Sequence, residues 1–274
     1  MTVLTAIPYY GVSEELINKA VRCALAQTVK DHVVLVAGDG QEPPVTIRDP
    51  RLVVVTLKRN RGAPFTQQAM ILGSPYAWYA PHGADDWAEP EYLQALLDIP
   101  GPAKGEGRIR YQPVHSTTAF LVKSKDWAEF GLFSTRTLLS VGGYAANEPC
   151  GQDSLLLAIL RKTVGIRTLD RALYHKVGRA DSLTESPGTG FGSPVRLAVR
   201  ERNQQVVARL TRIGWANVGA IRAYRESLIP LRLRAELYDA ANEIDRALAA
   251  QRIGRPAVGP PPQRARWIRP ETKI

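Results

Sequence analysis

The sequence predicts an α/β fold: a mostly parallel sheet with helices covering its faces. Short apolar runs alternate with segments of helical periodicity, as strand–crossover helix–strand units require. One of those runs, His32-Val-Val-Leu-Val-Ala37, is apolar at successive positions rather than at every second one, the pattern of a strand buried on both faces.

The elements follow in order. Val3 to Pro8 reads as the first strand, ending in Pro-Tyr-Tyr-Gly, and Ser13 with Glu15 and Leu16 opens a helix. Leu16, Ala20, Cys23, Ala24 and Gln27 mark one stripe of that helix and its end. The His32–Ala37 strand is cut by Gly38-Asp-Gly40. Leu52 to Leu57, also read as buried on both faces, is cut by Lys58-Arg-Asn-Arg-Gly62. Phe65 to Leu72 predicts a helix and Tyr76 to Ala80 a strand. Glu89 to Leu97 predicts a helix begun by acidic residues and Pro90 near its first turn.

A chain of 274 residues, 45% hydrophobic and 23% charged, is long enough to bury a real core. No basic segment followed by a long apolar run opens it, so no secretory signal is expected. The longest uncharged run, Ala63 to Ala84, is broken by Pro64, Pro75 and Pro81, which argues against a membrane span. Cys23 and Cys150 form no metal or disulfide pattern. These features together predict a cytoplasmic protein. The net charge of +10 is segregated: residues 1–194 hold 20 basic against 19 acidic side chains, and residues 195–274 hold 16 against 7. Such a block suits a nucleic acid, an anionic lipid surface or an acidic partner, or is a solvated helix face rich in arginine.

In open parallel sheets ligands bind beyond the carboxyl ends of the strands. Asp39, the segment Asn60 to Gly62 and the pair Asp85-Asp86 stand there. Adjacent carboxylates at a strand end suit Mg²⁺ or Mn²⁺ bridging a diphosphate, or simply form a polar turn before a helix.

The ordered set Ile7-Pro-Tyr-Tyr10, Ala26-Gln-Thr28, Gly38-Asp-Gly40, Arg59-Asn-Arg-Gly62, Ala84-Asp-Asp-Trp87, Val141-Gly-Gly-Tyr144, Gly151-Gln-Asp153 and Ser182-Leu-Thr184 resembles the family 2 glycosyltransferases of GT-A fold across residues 1 to about 184. The resemblance implies a nucleotide-binding half-sheet followed by an acceptor-binding half, and transfer of a sugar from a nucleotide sugar, expected to be a UDP sugar, to an acceptor hydroxyl with inversion. Carried over residue by residue, it places Ile7, Pro8, Tyr9 and Asp39 at the base and ribose, with Arg59, Asn60 and Gly62 beside the nucleotide. It places Asp85 near the ribose, Asp86 on Mn²⁺ or Mg²⁺, and Asp153 as the general base. His175, Lys176 or Arg179 matches a position that meets the metal or diphosphate, and His82 is a further candidate.

Three carboxylates common in relatives are absent: Gly38, Gly83 and Gln152 stand where they carry acids. That departure keeps a non-catalytic nucleotide-sugar-binding module in view. A nucleotidyltransferase on the same scaffold is disfavoured by the lack of a glycine-rich, Lys-containing loop after the first strand. Asp153 is equally placed to cap a helix from Ser154 to Lys162.

The expected organisation is a catalytic domain over residues 1–185, a Gly/Pro hinge or lid over 186–194, a basic helical extension over 195–253 and a Pro/Arg-rich tail over 254–274. Val195 to Ile213 and Leu231 to Arg252 have helical spacing, giving two or three helices. The charge asymmetry makes DNA bearing a hydroxylated base the expected acceptor. A cell-surface glycan, a lipid reached by peripheral membrane contact, or a protein are the alternatives.

Overall fold

A computed structural model describes residues 2–99, 103–113, 120–122, 131–167, 169–179 and 182–252, with 103–113 and 120–122 described by their backbone. The expected tail over 254–274 lies outside these residues. The first half comprises β1 (Val3–Tyr9), α1 (Glu14–Leu25), β2 (His32–Asp39), β3 (Leu52–Leu57), α2 (Ala63–Gly73) and β4 (Trp78–Pro81). The second comprises β5 (Trp87–Ala88), α3 (Tyr92–Leu97), β6 (Ala103–Pro113), β7 (Phe120–Val122), β8 (Gly131–Ser134), α4 (Thr135–Ser140), α5 (Gln152–Thr163) and β9 (Leu169–Gly178). Three helices follow: α6 (Pro194–Ile213), α7 (Val218–Ser227) and α8 (Leu231–Arg252).

The strands form one sheet in the order β3-β2-β1-β4-β8-β6-β9-β5, with β7 paired to β6. All pairings from β3 through β4 are parallel, so the ends of β1, β2 and β4 open on one edge. Beyond β4 the ladder turns antiparallel at β8 and returns to parallel only between β6 and β9. The apolar pattern announces the first half because two-sided burial leaves continuous runs. It does not announce the second, where β5, β7 and β8 are short and β6 and β9 carry many polar positions.

Alternation on β1 and β2 divides the core. Leu4, Ala6, Val33, Leu35 and Ala37 face α2 and the C-terminal helices, while Ile7, Tyr9, Val34 and Val36 face α1. β3 departs from the expected two-sided burial. It is the sheet edge, its burial alternates, and Val54 is 43% exposed. Ser13 caps α1 as expected, its Oγ accepting from the Leu16 N–H at 3.4 Å. The buried stripe is Ile17, Ala20, Val21 and Ala24, one position round from the predicted one. α3 begins later than predicted because Trp87 and Ala88 pair with β9 and the Glu89 N–H donates to Leu173 O at 2.8 Å, committing these residues to the sheet. Gln27 secures α3 from the end of α1, donating to Glu89 O and accepting from the Leu93 N–H.

Helices α6–α8 share the main core: Leu210, Ile221, Leu237, Ile244 and Leu248 pack in one cluster with Leu4, Val33 and Met70. α8 crosses α2 closely at Gly73, where a Cβ would lie 2.5 Å from Ala241 O. The 186–194 segment is folded on itself: Gly190 N–H donates to Ser186 O, and Arg196 reaches back to Thr189 O and Leu183 O. No helix among the described residues is long and apolar enough to cross a membrane.

Two imidazoles are buried in this frame. His32 meets the Thr5 hydroxyl at 2.8 Å, and His82 donates from Nδ1 to Gly83 O at 2.7 Å. Burial pushes both down to about 4 from an ordinary value of 6.5. The unfolded chain therefore binds protons on these rings at a higher pH than the folded chain does. Their contribution is complete above about pH 6.5 and is lost as pH falls toward 4, by ~3 kcal/mol per ring. Urea unfolding at pH 7 and pH 4.5 checks this; equal stability at the two would contradict it.

Candidate functional site

The open edge of β2, β1 and β4 carries two acidic centres. At the end of β2, Asp39 is 2% exposed and its two oxygens accept from the backbone N–H groups of Arg61 and Gly62 at 2.8 and 2.7 Å. Gly62 is the N-cap of α2 and has no side chain to cap it, so Asp39 supplies the capping carboxylate from the neighbouring strand. Burial raises the Asp39 pKa, opposed by the Arg61 and Gly62 N–H groups and the Thr66 hydroxyl. The 59–62 loop is also gripped from outside: Arg61 meets Glu236 of α8 at 2.6 Å, and Arg59 stands 3.9 Å from the same carboxylate. Gly40, with φ of 74°, backs directly onto the amide of Asn60, which leaves no room for a side chain.

Two strand spacings away, about 10 Å, Asp85 and Asp86 follow β4. Asp86 is 2% exposed. Its Oδ1 accepts from the Val177 N–H at 2.8 Å and its Oδ2 from the Tyr174 hydroxyl at 3.0 Å. The Gly83 N–H donates to that hydroxyl at 2.8 Å, which directs the phenolic proton toward Asp86. Asp85 accepts from Arg179 Nε at 2.7 Å, with both side chains largely covered. β9 and the residue that follows it therefore fix both carboxylates.

The geometry also accounts for two of the absent acids. A Cβ on Gly83 would lie 2.2 Å from Asp86 Oδ2, so the space beside residue 83 holds the Asp86 carboxylate itself. A Cβ on Gly38 would overlap Gln41 O, where the chain turns back over the end of β2.

Other predicted residues fall elsewhere. Ile7 and Tyr9 are core side chains beneath α1, Tyr9 donating its hydroxyl to Val12 O at 3.0 Å, so near a ligand they offer only backbone. Pro8 is half-buried between them. The exposed aromatic here is Tyr10, 60% exposed, in the bend immediately after β1. His175 leaves Asp86. It projects from β9 on the side opposite Tyr174, stacks on Trp87 at 3.6 Å and meets Glu89 at 3.0 Å through Nε2. Asp153 stands in the first turn of α5, whose N-cap is Gly151 with φ of 66°, so it does not cap the helix. Cys23 exchanges hydrogen bonds with the backbone of Ala88, and burial pushes its thiol up to about 11. It is no nucleophile.

The donor set admits one mode of cation binding. Among the described residues no three His, Cys, Asp or Glu side chains converge as a closed metal cage. One oriented carboxylate, with a ligand's phosphate oxygens and water completing the shell, is how Mg²⁺ and Mn²⁺ are commonly held. Asp86, aligned by Tyr174 and Val177, fits that mode, since hydrogen-bonded partners orient metal-ligating carboxylates. His175 does not fit as its companion.

No family model matches the sequence, and no curated protein is significantly similar to it. Solved structures are similar. The structure of residues 1–349 of S. aureus TarS matches with a TM-score of 0.55 at 14% identity, over 90% of this chain and 81% of that one. The same protein in complex with UDP-GlcNAc gives 0.56 at 15% identity over the same shares. In complex with UDP it gives 0.52 at 14% identity, over 91% and 92%. The fold is GT-A. At this identity the likeness is one of fold, and the expected α/β class with a helical C-terminal extension is the observed one.

Gly83→Ala tests the packing at the acidic pair. The added methyl displaces the Asp86 carboxylate from Tyr174 and Val177, and leaves a buried N–H and a buried hydroxyl without their acceptor. The expected loss is about 2–4 kcal/mol by chemical unfolding. A variant as stable as the parent would contradict this geometry.

Proposed function

We propose that this protein is a glycosyltransferase that uses a nucleoside diphosphate sugar, with UDP as the nucleotide. The observation that carries the reading is the pair Asp85-Asp86, anchored by β9 at the open edge of parallel strands, in a fold whose solved neighbours include complexes with UDP-GlcNAc and UDP. In this reading the base lies over the ends of β1 and β2, against exposed Tyr10, and the ribose and diphosphate extend toward Asp85 and Asp86.

Asp86 holds Mn²⁺ or Mg²⁺ when the cation is bound, and the cation supplies charge neutralisation at the departing diphosphate. The chain's own residues do the rest. Tyr174 and the Val177 N–H keep the Asp86 carboxylate aimed. Asp85 holds the guanidinium of Arg179 at the same lip, where it adds positive charge facing the phosphates. The 59–62 loop is preorganised by Asp39 from within and Glu236 from without, so little loop entropy is lost on binding. Asp153 takes the proton of the acceptor hydroxyl as that oxygen attacks the anomeric carbon from the face opposite the diphosphate, which inverts the centre.

The acceptor expected from charge was DNA. Several arginines of the extension act as internal ties, however. Arg202 pairs with Glu148, Arg222 with Glu226, and the buried Arg225 donates to Val141 O. These lower the charge available to a polyanion, and the DNA reading is the second one. It predicts duplex affinity that falls steeply with salt.

A screen of nucleoside diphosphate sugars with Mn²⁺, read by nucleotide release, tests the proposal. We expect turnover with a UDP sugar. Asp86→Asn should lower it by about 100-fold or more and Asp153→Asn should lower kcat by ~10²–10⁴-fold. Tyr10→Ala should raise KM about tenfold through lost stacking on the base. UDP binding without release from any donor would leave a binding module instead.

A further inference from the structure

A second concavity lies away from the open strand edge. Between α5 and α6, a cavity of about 650 Å³ is lined by Leu155, Ala158, Phe191, Leu197, Val207 and Ala208. That size is typical of small-ligand sites. Phe191 is 61% and Leu197 53% exposed, and Leu183 and Val195 beside them are 44% and 42% exposed. Exposed large apolar side chains concentrated in one place mark a binding surface.

The polar part of the lining is selective. It contains Ser154, Arg196, Arg200, Asn203 and Gln204 and no acidic residue. Arg196 is built in, donating to Thr189 O and Leu183 O and lying 5.0 Å over the Phe191 ring, so its charge is fixed at the rim. Arg200 stands exposed one turn further along α6. Asn203 is used in donating to Gly151 O. A peptide would bring N–H and C=O groups into a groove with little to pair them, at a desolvation cost for each. An alkyl or isoprenoid chain needs no partners, and an anionic group at its end meets the two arginines.

We propose that this groove binds an anionic amphiphile, with the apolar chain between α5 and α6 and the anionic group at Arg196 and Arg200. Gly151 and Ser154, at the start of α5, close that end of the wall. This binding does not rest on the glycosyl-transfer reading.

The test is calorimetric titration of the full chain with dodecyl phosphate below its micellar concentration. Neutral dodecyl maltoside and inorganic phosphate are titrated beside it, and UDP with Mn²⁺ on the same samples. Saturable binding of one dodecyl phosphate per chain is expected, with inorganic phosphate alone not binding. Ala208→Trp, an exposed helix position, should fill the groove and weaken both amphiphiles about tenfold or more, leaving UDP affinity unchanged. Arg200→Glu should weaken dodecyl phosphate and leave dodecyl maltoside as it was. No saturable binding of dodecyl phosphate, or an unaffected Ala208→Trp variant, would overturn the inference. The UDP titration reports separately on the donor site, so the failure of one assignment is not mistaken for the failure of the other.

Discussion

The Asp86 carboxylate joins the two halves of this protein. One oxygen takes the backbone N–H of Val177 and the other the hydroxyl of Tyr174, both from β9, while Asp86 itself follows β4. A nearly buried carboxylate is costly unless it is hydrogen-bonded, so the turn after β4 and the end of β9 must stay in register for it to be tolerated. That requirement fixes the lip of the sheet. It also fixes Gly83, since any side chain there would occupy the same space as the carboxylate. The absence of an acid at residue 83 is thus a matter of packing at this lip.

The second acidic centre works by a related logic. Asp39 is used by the fold as the distant cap of α2, and α8 grips the same loop through Glu236. Helices that composition alone marks as a basic appendage therefore bear on the strand-end surface. Their arginines are spent partly on carbonyls and carboxylates of the protein itself, as Arg225 illustrates: it is buried beneath the Gly142-Gly143 turn, and burial pushes it down to about 10. Gly143, with φ of 63°, leaves room for Gln68, whose Oε1 accepts from the Tyr144 N–H. The Val-Gly-Gly-Tyr stretch read from the sequence is thus a tight turn wedged between α2 and α7.

The sequence displayed the first half clearly because parallel strands buried on both faces leave unbroken apolar runs, and Ser13, Pro64 and the glycine turns punctuate them. β3 was misjudged because an edge strand can be apolar without being covered. The second half was nearly illegible, since β6 and β9 carry charged residues, β5, β7 and β8 are two to four residues long, and their pairing depends on contacts far apart in the chain. At the site, Asp39, Asp85 and Asp86 were found by position after strands. Tyr174 was not, because its role as the donor to Asp86 depends on register between β5 and β9. His175 lay one residue from that role, and a single step along a strand carries a side chain to the other face.

In the proposed reading Asp86 is a cation ligand whose shell a nucleotide's phosphates complete. The most direct test is calorimetric titration of UDP with and without Mn²⁺ in the parent and in Tyr174→Phe, which leaves the carboxylate in place but removes its aligning hydroxyl. UDP affinity should rise with Mn²⁺ in the parent, and this gain should shrink by about 10–100-fold in the variant. A UDP affinity indifferent to Mn²⁺, or a gain untouched by the loss of the hydroxyl, would contradict it.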